Sequence, residues 1–237
     1  MYLKEYINKL KTGNFLDEKE WLDQNAILET ISEEVPDSGI EEWKNFRTNS
    51  IKETSWKVLL QNSIKQNYTK QEQRKLPNSI FFIDGHYSKE ASSMKKESGI
   101  NISSLSDYVN KNPEFKNILF NNPSDYAESR LSGIKDKKPT YFISLNSLLS
   151  SGTVIEVEKA KNINETINII NSFSNIEPEI IINPYIIIVC KEGSNVSFQE
   201  ISHNVESWNN TFKEIFIRKD SKLTFSSLQE RISAGIK

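Results

Sequence analysis

The chain has 237 residues, of which 36% are hydrophobic and 26% charged, a mixture typical of a folded soluble protein rather than a disordered one. Its formal net charge is −2, and its acids and bases are scattered, whereas nucleic-acid-binding proteins usually gather a basic surplus on one stripe. The single cysteine, Cys190, excludes an internal disulfide and a multi-cysteine metal site within the chain. These features argue against a nucleic-acid partner and fit a cytoplasmic protein.

Residues 1–75 are predicted to form a helical N-terminal region. Leu3, Tyr6, Ile7 and Leu10 recur at the spacing of one helix face. The Pro-Asp-Ser-Gly run at 36–39 then interrupts the pattern as a loop. Because this N-terminus mixes charges with apolar residues, it predicts neither a secretory signal nor a membrane span.

Residues 76–150 are predicted to be a mixed α/β connecting region. The apolar run 80–83 predicts a short strand, and Asp84-Gly85 predicts a tight turn after it, with the chain returning at His86 as a hairpin. Residues 104–109 and 139–149 have the pattern of helical or irregular connections.

From Gly152 the hydrophobic period changes to two, and short strands recur. The predicted strands are 154–157, 166–170, 186–189, 196–200, 212–217 and 223–228. Many short strands separated by turns indicate a sandwich, a barrel or a β-solenoid. Apolar residues on both faces of 186–189 and 215–217 favour the solenoid, whose inward residues stack on neighbouring coils.

The predicted fold class is therefore α+β, with a helical N-terminal region (1–75), a mixed region (76–150) and the start of a β-helix (151–237). A solenoid whose last coil has no cap exposes a strand edge that readily pairs with other chains. We therefore expect the chain to be a fragment; the alternative is that a partner protects its last coil.

Seven segments, among them EEWKNF at 41–46 and LNSLLSSGTVIEV at 145–157, resemble in order the SufB/SufD family of iron–sulfur cluster assembly scaffold proteins. The segment EEWKNF is similar to the family element that closes its N-terminal helical region, and LNSLLSSGTVIEV is similar to the element that opens its β-helix. The similar segments are 41–46, 82–93, 145–157, 183–189, 192–196, 209–217 and 221–229. Tyr185 departs from the family's Pro-Arg pair and Ser194 from its Gly-Ala pair. The sibling SufB tends to carry Glu-Gly-Cys where this chain has Ile201-Ser202, so the resemblance is to the SufD side.

The resemblance implies a helical N-terminal region, a right-handed β-helix, and a C-terminal helical domain that lies beyond the matched segments and grips the SufC ATPase. It implies a cytoplasmic, non-catalytic scaffold of the SufBCD complex that pairs with a SufB-like paralogue. The iron–sulfur cluster is assembled transiently on the complex, with no cofactor resident in this chain and no nucleic-acid or membrane partner. No family functional residue falls within the matched segments, so the resemblance assigns no catalytic, cofactor-binding or metal-ligating residue.

A few residues have both a functional and a structural interpretation. Cys190 is suited to accept a persulfide or bind iron, but a cysteine ending an apolar strand is more often buried structure. His86 and His203 are possible ligands or proton carriers, but loop histidines without neighbouring ligands are usually solvated. Trp43, Phe46 and Trp56 suit either a partner-binding face or a core, and Trp208 is expected to pack against the β-helix.

Two rival functions remain open from the sequence. One is an inactive SufD-derived fragment. The other is a β-helix enzyme acting on polysaccharide, which needs carboxylates aligned on one face. Glu156, Glu200 and Glu214 are the strand carboxylates available for that role. There is no phosphate-binding GxxxxGK[ST] motif, so ATP hydrolysis is not expected of this chain.

Overall fold

Strands make up most of the regular structure in the described part of this chain. The computed structural model describes residues 2–12, 24–32, 35–36, 39, 44, 48–58, 76–95, 98–119, 141–172, 179–204 and 207–231. Within these residues the strands are β1 (Lys57–Val58), β2 (Ser79–Ile83), β3 (His86–Ser93), β4 (Ile100–Ser104), β5 (Thr153–Val157), β6 (Ile167–Ser172), β7 (Ile180–Ile182), β8 (Tyr185–Cys190), β9 (Asn195–Asn204), β10 (Trp208–Asn209), β11 (Phe212–Ile217) and β12 (Lys222–Arg231). The α-helices are α1 (Leu3–Thr12), α2 (Gln24–Ser32), α3 (Asn49–Glu53), α4 (Leu105–Lys111) and α5 (Tyr141–Leu149), and a short 3-10 helix spans Pro113–Asn117.

The strands from β5 onward form three stacked coils. The first coil contains β5, β6 and β7, the second contains β8, β9 and β10, and the third contains β11 and β12. β8 lies between β5 and β11, β9 lies between β6 and β12, and β10 pairs with β7, all in parallel. The second and third coils are related by a constant offset of 27 residues. Glu200 lies opposite Ser227, and Asn183 lies beside Asn210 at the corner before each coil. The chain thus returns to the same sheets on successive coils, as in a solenoid.

Strands from the first hundred or so residues complete the sheets on the first-coil side. β1 pairs in parallel with β7, and β2 pairs in parallel with β6. β3 and β4 add antiparallel edge strands next to β2 and β5. The predicted hairpin is confirmed: Asp84 and Gly85 have φ angles of 50° and 84°, the left-handed pair that a two-residue turn between twisted strands requires.

The predicted α+β fold with a helical N-terminal region is wrong. In the described part of residues 1–75 the helices are short, the longest being α1 with 10 residues, and β1 belongs to the same sheet as β7 and β10. The apolar spacing of Leu3 and Tyr6 does form a helix face, but this face packs with Val58 and Ile181 in one apolar cluster. The N-terminal residues are therefore part of a molecule built mainly from three sheets, with short helices packed on it.

The second-coil strand β8 is buried on both faces for two different reasons. Its inward residues Ile186, Ile188 and Cys190 lie in the interior cluster with residues of β2, β5, β6 and β9. Its outward residues Ile187 and Val189 pack under α4 and the 3-10 helix. The apolar run of β8 therefore reflects a helical cover on the outside as well as stacking inside.

Candidate functional site

A polar cluster interrupts the apolar interior of the coils, with Glu200 at its centre. Glu200 lies in β9, pairs in register with Ile169 of β6 and Ser227 of β12, and is only 2% exposed. Val196 and Phe198 precede it on the same face of β9 and belong to the interior apolar cluster. Alternation along the strand thus places a carboxylate among the inward residues.

The carboxylate of Glu200, in the second coil, contacts side chains of the first and third coils. Asn171 of the first coil donates its Nδ2 to Oε1 at 2.8 Å, and also to the hydroxyl of Ser202 at 2.9 Å. Lys213 of the third coil places Nζ 2.9 Å from both carboxylate oxygens. The hydroxyl of Ser227, also in the third coil, donates to Oε2 at 2.9 Å.

This arrangement is suited to holding strands together rather than to acid–base chemistry. Each oxygen of Glu200 accepts hydrogen bonds, and a buried carboxylate needs such partners because its desolvation is costly. The side chain of Lys213 is 28% exposed, so the cluster reaches solvent on the third-coil side. The amide oxygen of Asn171 is buried and accepts no hydrogen bond from the described protein atoms.

Sequence reasoning named Glu200 but missed the partners that define the cluster. The signal was present in the alternation Val196, Phe198, Glu200, which places a carboxylate at an inward position. Asn171, Lys213 and Ser227 give no comparable signal, because their meeting depends on the register between coils.

The third coil presents the second notable feature, an exposed edge. Among the described residues, no strand pairs with the outer edges of β11 and β12. Ile215 and Ile217 are 41% and 53% exposed, although their register partners Ile188 and Cys190 are fully buried. Leu228 of β12 is also exposed. Unpaired backbone groups next to exposed aliphatic side chains form a surface that another strand can complete.

Cys190 occupies the buried position predicted for it. It is a free thiol, lies in the interior cluster, and is fully buried beneath Ile217 of the third coil. Burial raises its pKa to about 11, which keeps the thiol protonated at neutral pH and unreactive as a nucleophile.

The two histidines lie apart in the fold. His86 begins β3 and lines a polar cleft of about 350 Å³ together with Ser103, Asp107 and Thr153. Burial lowers the pKa of His86, while the Asp84 carboxylate opposes that change. His203 lies near the end of β9.

Two of the four aromatic residues singled out from the sequence, Trp56 and Trp208, pack together in the structure. Trp56 and Trp208 meet edge to face with their ring centroids 5.4 Å apart, and both pack against the cluster that joins α1, α2 and α5 to the sheet of β7. The expected packing of Trp208 is therefore confirmed. Trp43 and Phe46 lie outside the described residues.

The three strand carboxylates do not line one accessible face. Glu156 lies on the outer side of β5 and is 7% exposed. Its Oε1 forms an ion pair with Nζ of Lys191 at 2.8 Å. Glu214 accepts a hydrogen bond from the buried Tyr185 hydroxyl, and Glu200 is inside the coils. Each carboxylate is thus engaged in a separate local contact, and the alignment expected of a polysaccharide-cleaving site is not formed.

Within the described ranges, no group of three or more His, Cys, Asp or Glu side chains is placed to hold a metal ion. In the same part of the chain, no helix has the length and apolar character needed to cross a membrane. No family model matches the sequence, and no curated protein matches it.

Proposed function

We propose that this chain is a SufD-like, non-catalytic scaffold subunit of the SUF iron–sulfur cluster assembly machinery. It pairs with a SufB-like subunit and works with the SufC ATPase in the cytoplasm, while the cluster forms transiently on the complex. The observation that carries the proposal is the order of the seven family-like segments along the chain. Five of them, from 145–157 to 221–229, follow the chain from α5 through the strands and turns of the three coils.

The edge of the third coil is the surface that we assign to the partner. Strand addition requires free backbone donors and acceptors, and matching apolar side chains add affinity. At the two ends of β11, the backbone amides of Phe212 and Arg218 point towards β8 and donate to the backbone carbonyls of Pro184 and Cys190. Because parallel strands alternate their hydrogen bonds, the amides of Ile215 and Ile217 face the outer edge.

The test is co-purification of the full-length protein with SufB-like and SufC-like partners. We expect a stable complex from the wild-type protein, and loss of the SufB-like partner from an Ile215→Lys, Ile217→Lys double variant. The matched control, Ile215→Val with Ile217→Val, keeps the apolar β-branched edge and is expected to retain the partner.

Failure of the wild-type protein to co-purify with either partner at any salt concentration would sink the scaffold proposal. Full binding by the lysine variant would instead move the partner surface away from this edge. Circular dichroism of both variants, compared with the wild-type spectrum, checks that the coils still form.

A further inference from the structure

In the described part of the chain, the third coil is bordered by strands on one side only, and Phe216 and Arg218 also contact Phe115 of the 3-10 helix. Among the described residues, β11 and β12 pair with β8 and β9 and have no strand beyond them. Their inward apolar side chains are exposed or half-buried, whereas those of β8 are fully buried. Regions with few buried apolar contacts open locally at a lower free energy than the whole protein.

Glu200 is the interior group that joins this coil to the other two. Two of its partners, Lys213 and Ser227, belong to the third coil and leave together if that coil separates. Separation would also bring the Glu200 carboxylate to the new outer surface, where water can solvate it. When the third coil is closed, the Glu200 carboxylate is buried and paired with Lys213. When the coil is open, water hydrates both charges.

We propose that the third coil, β11 with β12, opens as a separate unit, and that the contacts of Glu200 with Lys213 and Ser227 are the latch that holds it closed. Opening uncovers the interior of the second coil, including Cys190, whose register partner is Ile217. This inference does not depend on the proposed scaffold function, because it concerns only contacts within the chain.

Cys190 is the only cysteine and is therefore a built-in reporter of opening. The experiment measures the rate at which a thiol reagent such as DTNB labels Cys190 in the full chain under native conditions, alongside global unfolding in urea. For the wild type we expect labelling to be faster than global unfolding allows, because opening the third coil alone exposes the thiol.

The Glu200→Gln variant leaves Lys213 without a charged partner in the closed state, which strongly disfavours closure. We expect its labelling to be faster than wild type by about tenfold or more. Replacing both partners, Glu200→Met with Lys213→Met, removes the uncompensated charge, and we expect labelling to return towards the wild-type rate. Ser227→Ala removes one hydrogen bond and is expected to accelerate labelling by roughly fivefold, the effect of about one hydrogen bond.

The control is Glu156→Gln, which makes the same chemical change at a buried carboxylate outside the third coil, in an ion pair with the 43% exposed Lys191. We expect it to leave Cys190 labelling within about twofold of wild type once its global stability is taken into account. If labelling follows global unfolding in every variant, or if Glu156→Gln accelerates it as much as Glu200→Gln does, the latch is refuted. If Glu200→Gln does not fold, the same comparison is made with Ser227→Ala.

Discussion

Cys190 shows how burial decides the chemistry of a single residue. Its position at the end of an apolar strand was compatible with a persulfide acceptor, but the structure places it in the interior cluster with a raised pKa. A thiol of this kind behaves as a small apolar side chain. We therefore expect the Cys190 side chain to contribute to the free energy of unfolding through packing.

Substituting Cys190 tests this interpretation. Cys190→Ala is expected to lower the free energy of unfolding by about 1 kcal/mol through lost packing. Cys190→Ser is expected to cost about 1–3 kcal/mol, because it buries a more polar group in the mainly apolar interior cluster. Urea unfolding monitored by tryptophan fluorescence measures both. A serine variant as stable as the wild type would show that the site is polar or open.

His86 is expected to make the protein sensitive to acid. Because burial lowers its folded-state pKa below 6.5, the unfolded chain binds the proton more readily. The stability that comes from the neutral imidazole is present above pH 6.5 and is lost as the pH falls through the folded-state pKa. Between pH 7.5 and 5.5, the urea midpoint of the wild type should therefore fall more than that of His86→Gln. Equal falls in the two proteins would contradict this assignment.

At the scale of elements, the turns that lead from β5 to β6, from β8 to β9 and from β11 to β12 have the same backbone conformation in each coil. Ala160, Gly193 and Asp220 occupy equivalent places in stacked turns, with φ angles of 55°, 70° and 57°. The backbone amide of Ala160 donates to the backbone carbonyl of Glu192 at 2.8 Å, and the backbone amide of Gly193 donates to the backbone carbonyl of Lys219 at 3.0 Å. The left-handed conformation suits glycine, is tolerated by aspartate and strains Ala160.

A pair of opposite substitutions tests this repeat. Ala160→Gly should stabilise the protein, and Gly193→Ala should destabilise it, each by about 1 kcal/mol. A Cβ at Gly193 would meet its nearest atom, Cα of Ala160, at 3.6 Å, so the cost there is conformational rather than steric. Thermal or urea unfolding of the two variants measures the effect. A destabilising Ala160→Gly would mean that the first-coil turn is not strained.

Strands with clear alternation could be predicted from the sequence, and strands defined by their neighbours could not. β9 and β12 begin with apolar residues that alternate with polar ones, β11 contains the apolar run 215–217, and the Asp84-Gly85 pair marked the β2–β3 hairpin. β7 and β10 contain three and two residues, too short to show a period, and exist because coils stack there. The Glu200 cluster falls between these cases, because alternation shows the carboxylate and only the register shows its partners.

For the whole molecule, the wrong prediction concerns how local periods combine. Apolar spacing in the first residues does form α1, but it does not reveal that β1 and β2 join sheets made by residues more than 80 positions later. Long-range parallel pairing leaves no local pattern in the earlier strand. A helical segment therefore suggested a separate helical region where the molecule has short helices packed on shared sheets.

Among the described residues, five tyrosines and the cysteine have a raised pKa, with burial as the first cause in every case. They are Tyr6, Tyr87, Tyr108, Tyr141, Tyr185 and Cys190. Above the unfolded-state values of 9.0 for the thiol and 10.0 for the phenols, the unfolded chain loses these protons before the folded one does. The unfolded state then binds fewer protons, so stability falls as the pH rises.

We therefore expect the free energy of unfolding to be steady near pH 8 and to fall steeply above pH 10, by up to about 1.4 kcal/mol per pH unit for each group. Urea midpoints at pH 8, 9, 10 and 11 measure this, and absorbance at 295 nm shows when tyrosinate forms. Tyr185→Phe should fall less steeply than wild type above pH 10, because its buried phenol no longer titrates on unfolding. Tyr2→Phe, at an exposed site, is the control and should keep the wild-type slope. If Tyr185→Phe and the wild type lose stability in parallel up to pH 11, the hydroxyl of Tyr185 ionises in the folded protein and is not protected by the coils.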